Sequence, residues 1–472
     1  MATAIKRLEE PPRPPRAYVP DLDPRWEGVI LRCLERDPTD RFASAVDVVR
    51  TLGGEEVPAA RKALAEKKLR RRWLALAGSL LVLLLASAVI YHLRAPRTAQ
   101  QTVPSKATGL PPGPINARRS VAVLGFKNLS GRGETAWLST ALSEMLTTEL
   151  AAGEKLRTIA GENVAQMKVN LSLAEADSYS KETLARIRSN LGADLVVLGG
   201  YLALGEKAGG QIRLDLCLQD AVAGETMAAT AETGTEAKLF ELVSQAGAHL
   251  REKLGVREVT AAEADTVKAS LPSNPEAARL YAEGLAKLRL FDALAARDLL
   301  EKAVAADPQH ALAHSALAAA WQTLGYDTKA KEEAKQAFTL SSNLPREGRL
   351  AVEGLYRQMT HEPEKAVEVY RTLWGSFPDD LDYGLRLAQA QTSAGQRKDA
   401  PATIEAMRRL PYPTREDPRI DVQEAITAAS VSDFKRELAA AARAAAKGQS
   451  QGARLLVARA RMAQGAAYGN LG

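Results

Sequence analysis

From residue 270 onward, small residues recur in pairs twelve positions apart: Gly284 and Ala296, Ala318 and Ala330, Gly354 and Ala366, Ala388 and Ala400. Successive pairs are offset by 34, 36 and 34 residues. Ala303, Ala337, Leu373 and Met407 stand seven beyond the second member of each pair, and Pro308, Pro378 and Pro411 fall at repeat ends. A period of this length means one supersecondary unit copied along the chain, each copy unable to bury its apolar face alone. The physical reading is a helix hairpin. Small residues let its two helices approach closely, and proline stops the second helix. The eight paired positions are therefore the repeat-packing candidates. Gly465, Tyr468, Leu471 and Gly472 fit the first helix of one more hairpin, so the array is expected to break off within a repeat.

This pattern resembles tetratricopeptide repeats (TPR) over residues 270–472. An α-helical TPR solenoid has a concave face suited to a protein or peptide ligand. The remaining charged residues of this half read as solvated helix faces, with no catalytic constellation among them.

At 472 residues, 46% hydrophobic and 25% charged, the chain is too long for one core and should hold two to four units. Its net charge is +6, and residues 61–72, "RKALAEKKLRRR", net +6 alone, so the rest sums to zero. That distribution argues against a chain-wide nucleic-acid surface. Cys33 and Cys217 are far apart and in different units, so no disulfide framework or Cys-type metal site is built from them, and the five scattered histidines read as surface or helix-packing residues rather than metal ligands.

Residues 73–93, "WLALAGSLLVLLLASAVIYHL", contain no Asp, Glu, Lys or Arg. As a helix they would span roughly 31 Å, the thickness of a bilayer core. Trp73 and Tyr91 stand at the ends, and the basic juxtamembrane segment 53–72 precedes them. One transmembrane helix is expected, with a cytoplasmic N-terminus and an extracytoplasmic C-terminal region. Residues 94–118 read as a Pro-rich linker.

Residues 119–256 read as a small α/β domain. "SVAVLGF" and "ADLVVLGGYL" are short apolar strands. "IRLDLCLQ" alternates, with Ile212, Leu214, Leu216 and Leu218 on one face, as a half-buried antiparallel strand does. Gly200, Gly205 and Lys207 approach a phosphate-binding loop, but Glu206 stands where its lysine should be, so a hairpin turn is expected. "VAVLGFKNLSG", "LSTALSEMLTTEL", "LGADLVVLGGYL" and "DAVAGE" resemble the TolB-type amino-terminal domain that precedes TPR arrays in many bacterial proteins. The resemblance implies an envelope-side recognition or assembly module, and a bacterial inner (plasma) membrane for the span.

At the other end, "LDPRWEGVILRCLERDP" puts Trp26, Val29, Ile30, Cys33 and Leu34 on one helix face, and Ser44 with Asp47 opens a second helix. Two short amphipathic helices need a larger body. "LDPRWEGVILRCLERDPTDRFASAVDVVRTL" resembles the last two helices of the C-lobe of bacterial Hanks-type serine/threonine protein kinases, over residues 1–52. The resemblance gives Arg41 a structural role, pairing with the glutamate that ends the activation segment. The Gly-rich loop, strand lysine, H-R-D and D-F-G are all missing here, so the chain as written is no kinase. No cofactor is expected in it; ATP and Mg are implied for a longer parent whose frame would run upstream of Met1.

Two readings follow: the C-terminal portion of a one-pass receptor-type serine/threonine kinase whose outer region senses or docks a ligand, or a non-enzymatic membrane-anchored TPR scaffold for envelope protein assembly. Homodimerisation is compatible with either. A membrane-tethered transcription regulator is disfavoured, since residues 1–60 hold no basic recognition helix.

Overall fold

The computed structural model describes residues 14–17, 22–35, 40, 42, 45–52, 117–204 and 210–471, in two compact units. In the first, α1 (Pro24–Cys33) starts at Pro24 and is capped by the Asp23 carboxylate, which accepts from Arg25 N–H. α2 (Ala45–Leu52) follows, and Arg32 lies 4.1 Å over the Phe42 ring. Of the expected apolar face only Val29 is buried; Trp26 is 50% exposed and Cys33 is exposed.

The second unit begins with an α/β layer. β1 (Arg119–Asn128), α3 (Trp137–Ala151), β2 (Leu156–Thr158), α4 (Gly161–Leu171), α5 (Lys181–Leu191), β3 (Leu195–Ala203), β4 (Gln211–Asp220), β5 (Glu225–Thr235) and α6 (Leu239–Lys253) follow in order. The sheet order is β2-β1-β3-β4-β5, with β1 parallel to β2 and β3, and β3–β4–β5 antiparallel. Alternation decides which side each residue serves. Val121 and Val123 face α3 and α6, while Ala122 and Leu124 face α4 and α5. β3 is buried on both faces, which is why it reads as a continuous apolar run. On β4 the four expected leucine-type positions are buried on one side, but Gln219 on the other is buried too, bonded to Tyr179 and Thr226. β3 and β4 close as a hairpin from Leu195↔Asp220 to Ala203↔Ile212, as the missing lysine led us to expect; residues 205–209 lie outside the described residues.

α7 (Ala261–Ala269) links this layer to five helix hairpins: α8 (Pro275–Arg289) with α9 (Ala293–Ala306), α10 (Ala311–Thr323) with α11 (Asp327–Leu340), α12 (Arg346–Met359) with α13 (Pro363–Ser376), α14 (Leu381–Ser393) with α15 (Asp399–Met407), and α16 (Pro418–Ser430) with α17 (Phe434–Gln451). α18 (Arg454–Leu471) packs on α17. These are TPR-like helical repeats. All eight small residues are buried between helices. A Cβ on Gly284 would meet Leu300 at 2.7 Å, and one on Gly354 would meet the Tyr370 ring at 2.5 Å, so each glycine is where two helices touch.

The expected series of separate bodies needs correction. The described chain is mostly helical, with TPR-like repeats and one small sheet, and the sheet shares its core with the array. Ala278 and Ala282 of α8 sit in the same apolar cluster as β1, β3 and β4. The expected transmembrane helix, residues 73–93, lies outside the described residues. Among those described, no helix is long and apolar enough to cross a membrane. Even the two 18-residue helices are broken by cations: Lys435, Arg436, Arg443 and Lys447 on α17, and Arg454, Arg459 and Arg461 on α18.

Candidate docking cleft

The α/β layer touches the array at several helix ends. Arg118, just before β1, donates to Asp379 from N–H at 3.0 Å and Nε at 2.9 Å, and lies 4.8 Å over Phe377. Asn163 of α4 donates to Asp382 at 2.7 Å, and Arg419 of α16 donates to Asp382 at 2.6 Å. Arg289 at the end of α8 donates to Glu144 of α3 at 2.8 Å, and Asn190 of α5 to the Gln451 carbonyl at 3.1 Å. Leu312 of α10 lies with Ala141 and Met145 of α3 around a small gap of about 50 Å³. A peptide laid along the opening turns of α10, α14 and α16 would have to displace the α/β layer.

This seam stores a titratable group. Burial pushes the Asp380 carboxyl up to about 7, with Asp382 and Glu347 adding to the shift and Arg157 opposing it. Burial acts on Asp382 too, but Arg419 and Arg386 outweigh it and hold that carboxyl below its ordinary value. A carboxyl raised by folding favours the folded state while protonated; that contribution is complete below about pH 4 and is lost as pH climbs through about 7. Asp380 also caps α14 by accepting from Asp382 N–H at 2.9 Å, a bond asparagine can keep. Asp380→Asn is therefore expected to raise the melting temperature at pH 8 and leave it unchanged near pH 4. Thermal unfolding of both proteins across that range measures it; an equal shift at both ends would contradict the assignment.

A cleft of about 1180 Å³ opens between α6 and α7. One wall is the outer face of α6. Its inner positions Leu239, Leu242, Val243, Ala246 and Leu250 are buried in the sheet's core, which turns Glu241, Ser244, Ala248 and Glu252 outward at helical spacing. The facing wall is α7, of whose side chains only Val267 is buried. Thr260 and Glu263 cap it reciprocally, and bonds from the Thr260 backbone, Arg257 and the Thr260 hydroxyl hold the Glu263 carboxyl down to about 2. Leu271, Pro272 and Ser273 form one end with Asp307 and His310; Thr339, Leu340 and Asn343 complete the lining.

Hydrogen bonds and a ring contact tie that end together. Asp307, 6% exposed, accepts from Ser273 N–H at 2.7 Å and Gln309 N–H at 3.3 Å. His310 Nε2–H donates to the Ser270 carbonyl at 3.2 Å, its ring meets Tyr281 edge-on at 4.9 Å, and burial pushes its pKa down, keeping it neutral. Beneath the α6 wall, Arg251 and Glu149 form a buried ion pair at 3.3 Å. The chemistry on offer is an apolar floor under carboxylates.

Of the residues singled out from sequence, Gly284, Ala296, Ala318, Ala330, Gly354, Ala366, Ala388 and Ala400 pack the array and none lines the cleft. Arg41 lies outside the described residues. The cleft residues carry no motif. Their one signal is the polar stripe of α6, which reads from sequence as an ordinary solvated helix face.

No family model matches the sequence, and comparison with curated proteins gives no match. Solved structures do match. A thermophilic TPR protein of Thermus thermophilus is 22% identical with a TM-score of 0.32, covering 39% of this chain and 99% of that one. A tetratricopeptide repeat protein from Parabacteroides merdae is 13% identical with a TM-score of 0.32, covering 46% of this chain and 80% of its own. At these values the likeness adds nothing to the hairpin geometry, which is what places TPR-like repeats in this chain. Neither the kinase-tail resemblance of residues 1–52 nor the TolB-type resemblance of residues 119–256 gains support from these matches.

Proposed function

We propose that this chain is a non-enzymatic protein-docking scaffold, in which the TPR-like array braces the α/β layer and the cleft between α6 and α7 receives a segment of a partner polypeptide. The observation that carries it is an open cleft beside an array that contacts the α/β layer at its helix ends. The cleft's volume, about 1180 Å³, exceeds the roughly 300–1,000 Å³ of ordinary small-molecule pockets. The test is peptide display against the full-length chain, with Ala248→Trp as the blocking variant. Ala248 is exposed on α6, so the added ring fills the cleft without entering the core. Peptides are expected to be recovered and lost on Ala248→Trp. Recovery of none, or of peptides indifferent to the substitution, overturns the reading.

The kinase-parent reading remains a finer proposal for residues 1–52. What favours it is the half-exposed Trp26 and exposed Cys33 on α1, the incomplete burial expected of a piece of a larger lobe. In-frame sequence upstream of Met1 encoding H-R-D and D-F-G would support it; a stop codon there would end it.

A further inference from the structure

We infer that the cleft is built for a cationic amphipathic segment of a partner protein, one with Lys or Arg along one side and apolar residues along the other. This rests on the docking reading above and names the partner's chemistry.

Two features point the same way. The floor is apolar: Phe240, Val256, Val259, Val267, Leu271 and Leu340 line it. The rim is acidic. Six carboxylates line the cleft against two basic residues, Arg251 and Lys268, a formal balance of −4 from these groups in a chain whose total is +6. The carboxylates differ in what they already hold. Glu149 is committed to Arg251 inside the protein, and both oxygens of Asp307 are taken by backbone N–H groups. Glu241 meets only the exposed Lys238 at 3.2 Å. Glu252, Glu258 and Asp265 are exposed and have no cation partner among the described residues, and Arg251 is spent on Glu149. The charge available to a ligand is thus negative and already solvent-facing, so an incoming ammonium or guanidinium is not forced to strip a buried pair.

An anionic or purely apolar segment fits this lining worse. The first meets unpaired carboxylates on both walls, Glu252 from α6 and Asp265 from α7. The second buries them without partners. A basic helix with apolar residues at i, i+3, i+4 and i+7 satisfies floor and rim together.

The test uses the full-length chain and two labelled peptides of about five helical turns, identical in apolar pattern, one carrying Lys and the other Glu at every polar position. Fluorescence anisotropy reads the binding. The Lys peptide is expected to bind, more weakly as salt is raised. Its affinity is expected to fall by roughly tenfold in the double variant Glu252→Lys with Asp265→Lys. Both positions are exposed, and circular dichroism checks that the variant is folded. The Glu peptide is expected not to bind the unaltered chain. If the Lys peptide binds no better than the Glu peptide, or the double variant leaves its affinity unchanged, the charge inference is overturned. Displayed peptides of other character that bind and are lost on Ala248→Trp would leave the docking reading standing and end the cationic one. Absence of any peptide sensitive to Ala248→Trp ends both.

Discussion

Gly199→Ala should leave the chain unable to close its sheet. Gly199 lies in β3 between Phe126 of β1 and Leu216 of β4, with φ +156°, beside the register shift between Val123 and Phe126. A Cβ there would sit 1.9 Å from the Asp215 carbonyl oxygen. That oxygen belongs to the neighbouring strand's backbone and cannot rotate away as a side chain can. The strands would have to part, and both faces of the sheet would lose packing together. The cost is expected to be on the order of 3 kcal/mol or more, a large share of the roughly 5–15 kcal/mol that holds a protein folded. Little soluble protein and loss of the cooperative thermal transition are the expected readouts. A variant that melted within a few degrees of the parent would mean that β3 and β4 are not in this register.

Trp374→Ala comes next in size. The indole on α13 is 2% exposed and packs with Val367, Tyr370, Leu387, Met407 and Ile420, so it joins the third, fourth and fifth hairpins. Gly384 is small because Trp374 and Met407 occupy the space its Cβ would need, at 3.1 and 2.9 Å. Removing the ring leaves a cavity and is expected to cost about 3–5 kcal/mol in denaturant unfolding. The buried Trp374 Nε1–H has no acceptor among the described residues. Trp374→Phe gives up part of the packing but also removes an unpaired donor, so it should cost much less than alanine. Equal losses from the two substitutions would show that ring packing is not what this position supplies.

The fifth hairpin shows where reading the repeats stops. Ala425 and Ala444 keep the small-residue register, but Glu437 stands where the second small residue belongs, and a search for small pairs passes over it. In the fold Glu437 is 4% exposed, burial pushes its pKa up, and Oε2 has no hydrogen-bond partner among the described residues. α16 is also held differently from its neighbours. Its Asp421 and Glu424, 1% and 5% exposed, are bridged by Arg408 and Arg443, a set of buried ion pairs beside the alanines Ala425, Ala440 and Ala441. With this hairpin counted, α18 follows a complete pair.

The seam between the α/β layer and the array was illegible for a different reason. Arg118 meets Asp379, and Asn190 meets Gln451, each across 261 residues of chain. Nothing local marks any of the four, and each reads in isolation as a surface residue. Asp380 reads as a helix cap from its neighbours, and its raised carboxyl follows from burial in the fold, with Asp382 and Glu347 adding to it.

What the sequence determined by itself is what short-range periodicity can carry. The two-residue alternation of β4, the apolar run of β3 and the twelve-residue spacing of small residues each encode one element and its inner face, because backbone geometry converts spacing directly into sidedness. Tertiary structure alone decided which elements meet: that the array packs on its own α/β layer, and that the polar stripe of α6 borders a cleft. Those outcomes depend on contacts between separate elements, some of them 261 residues apart, where no spacing rule operates and only the sum of buried area and paired charge selects the arrangement.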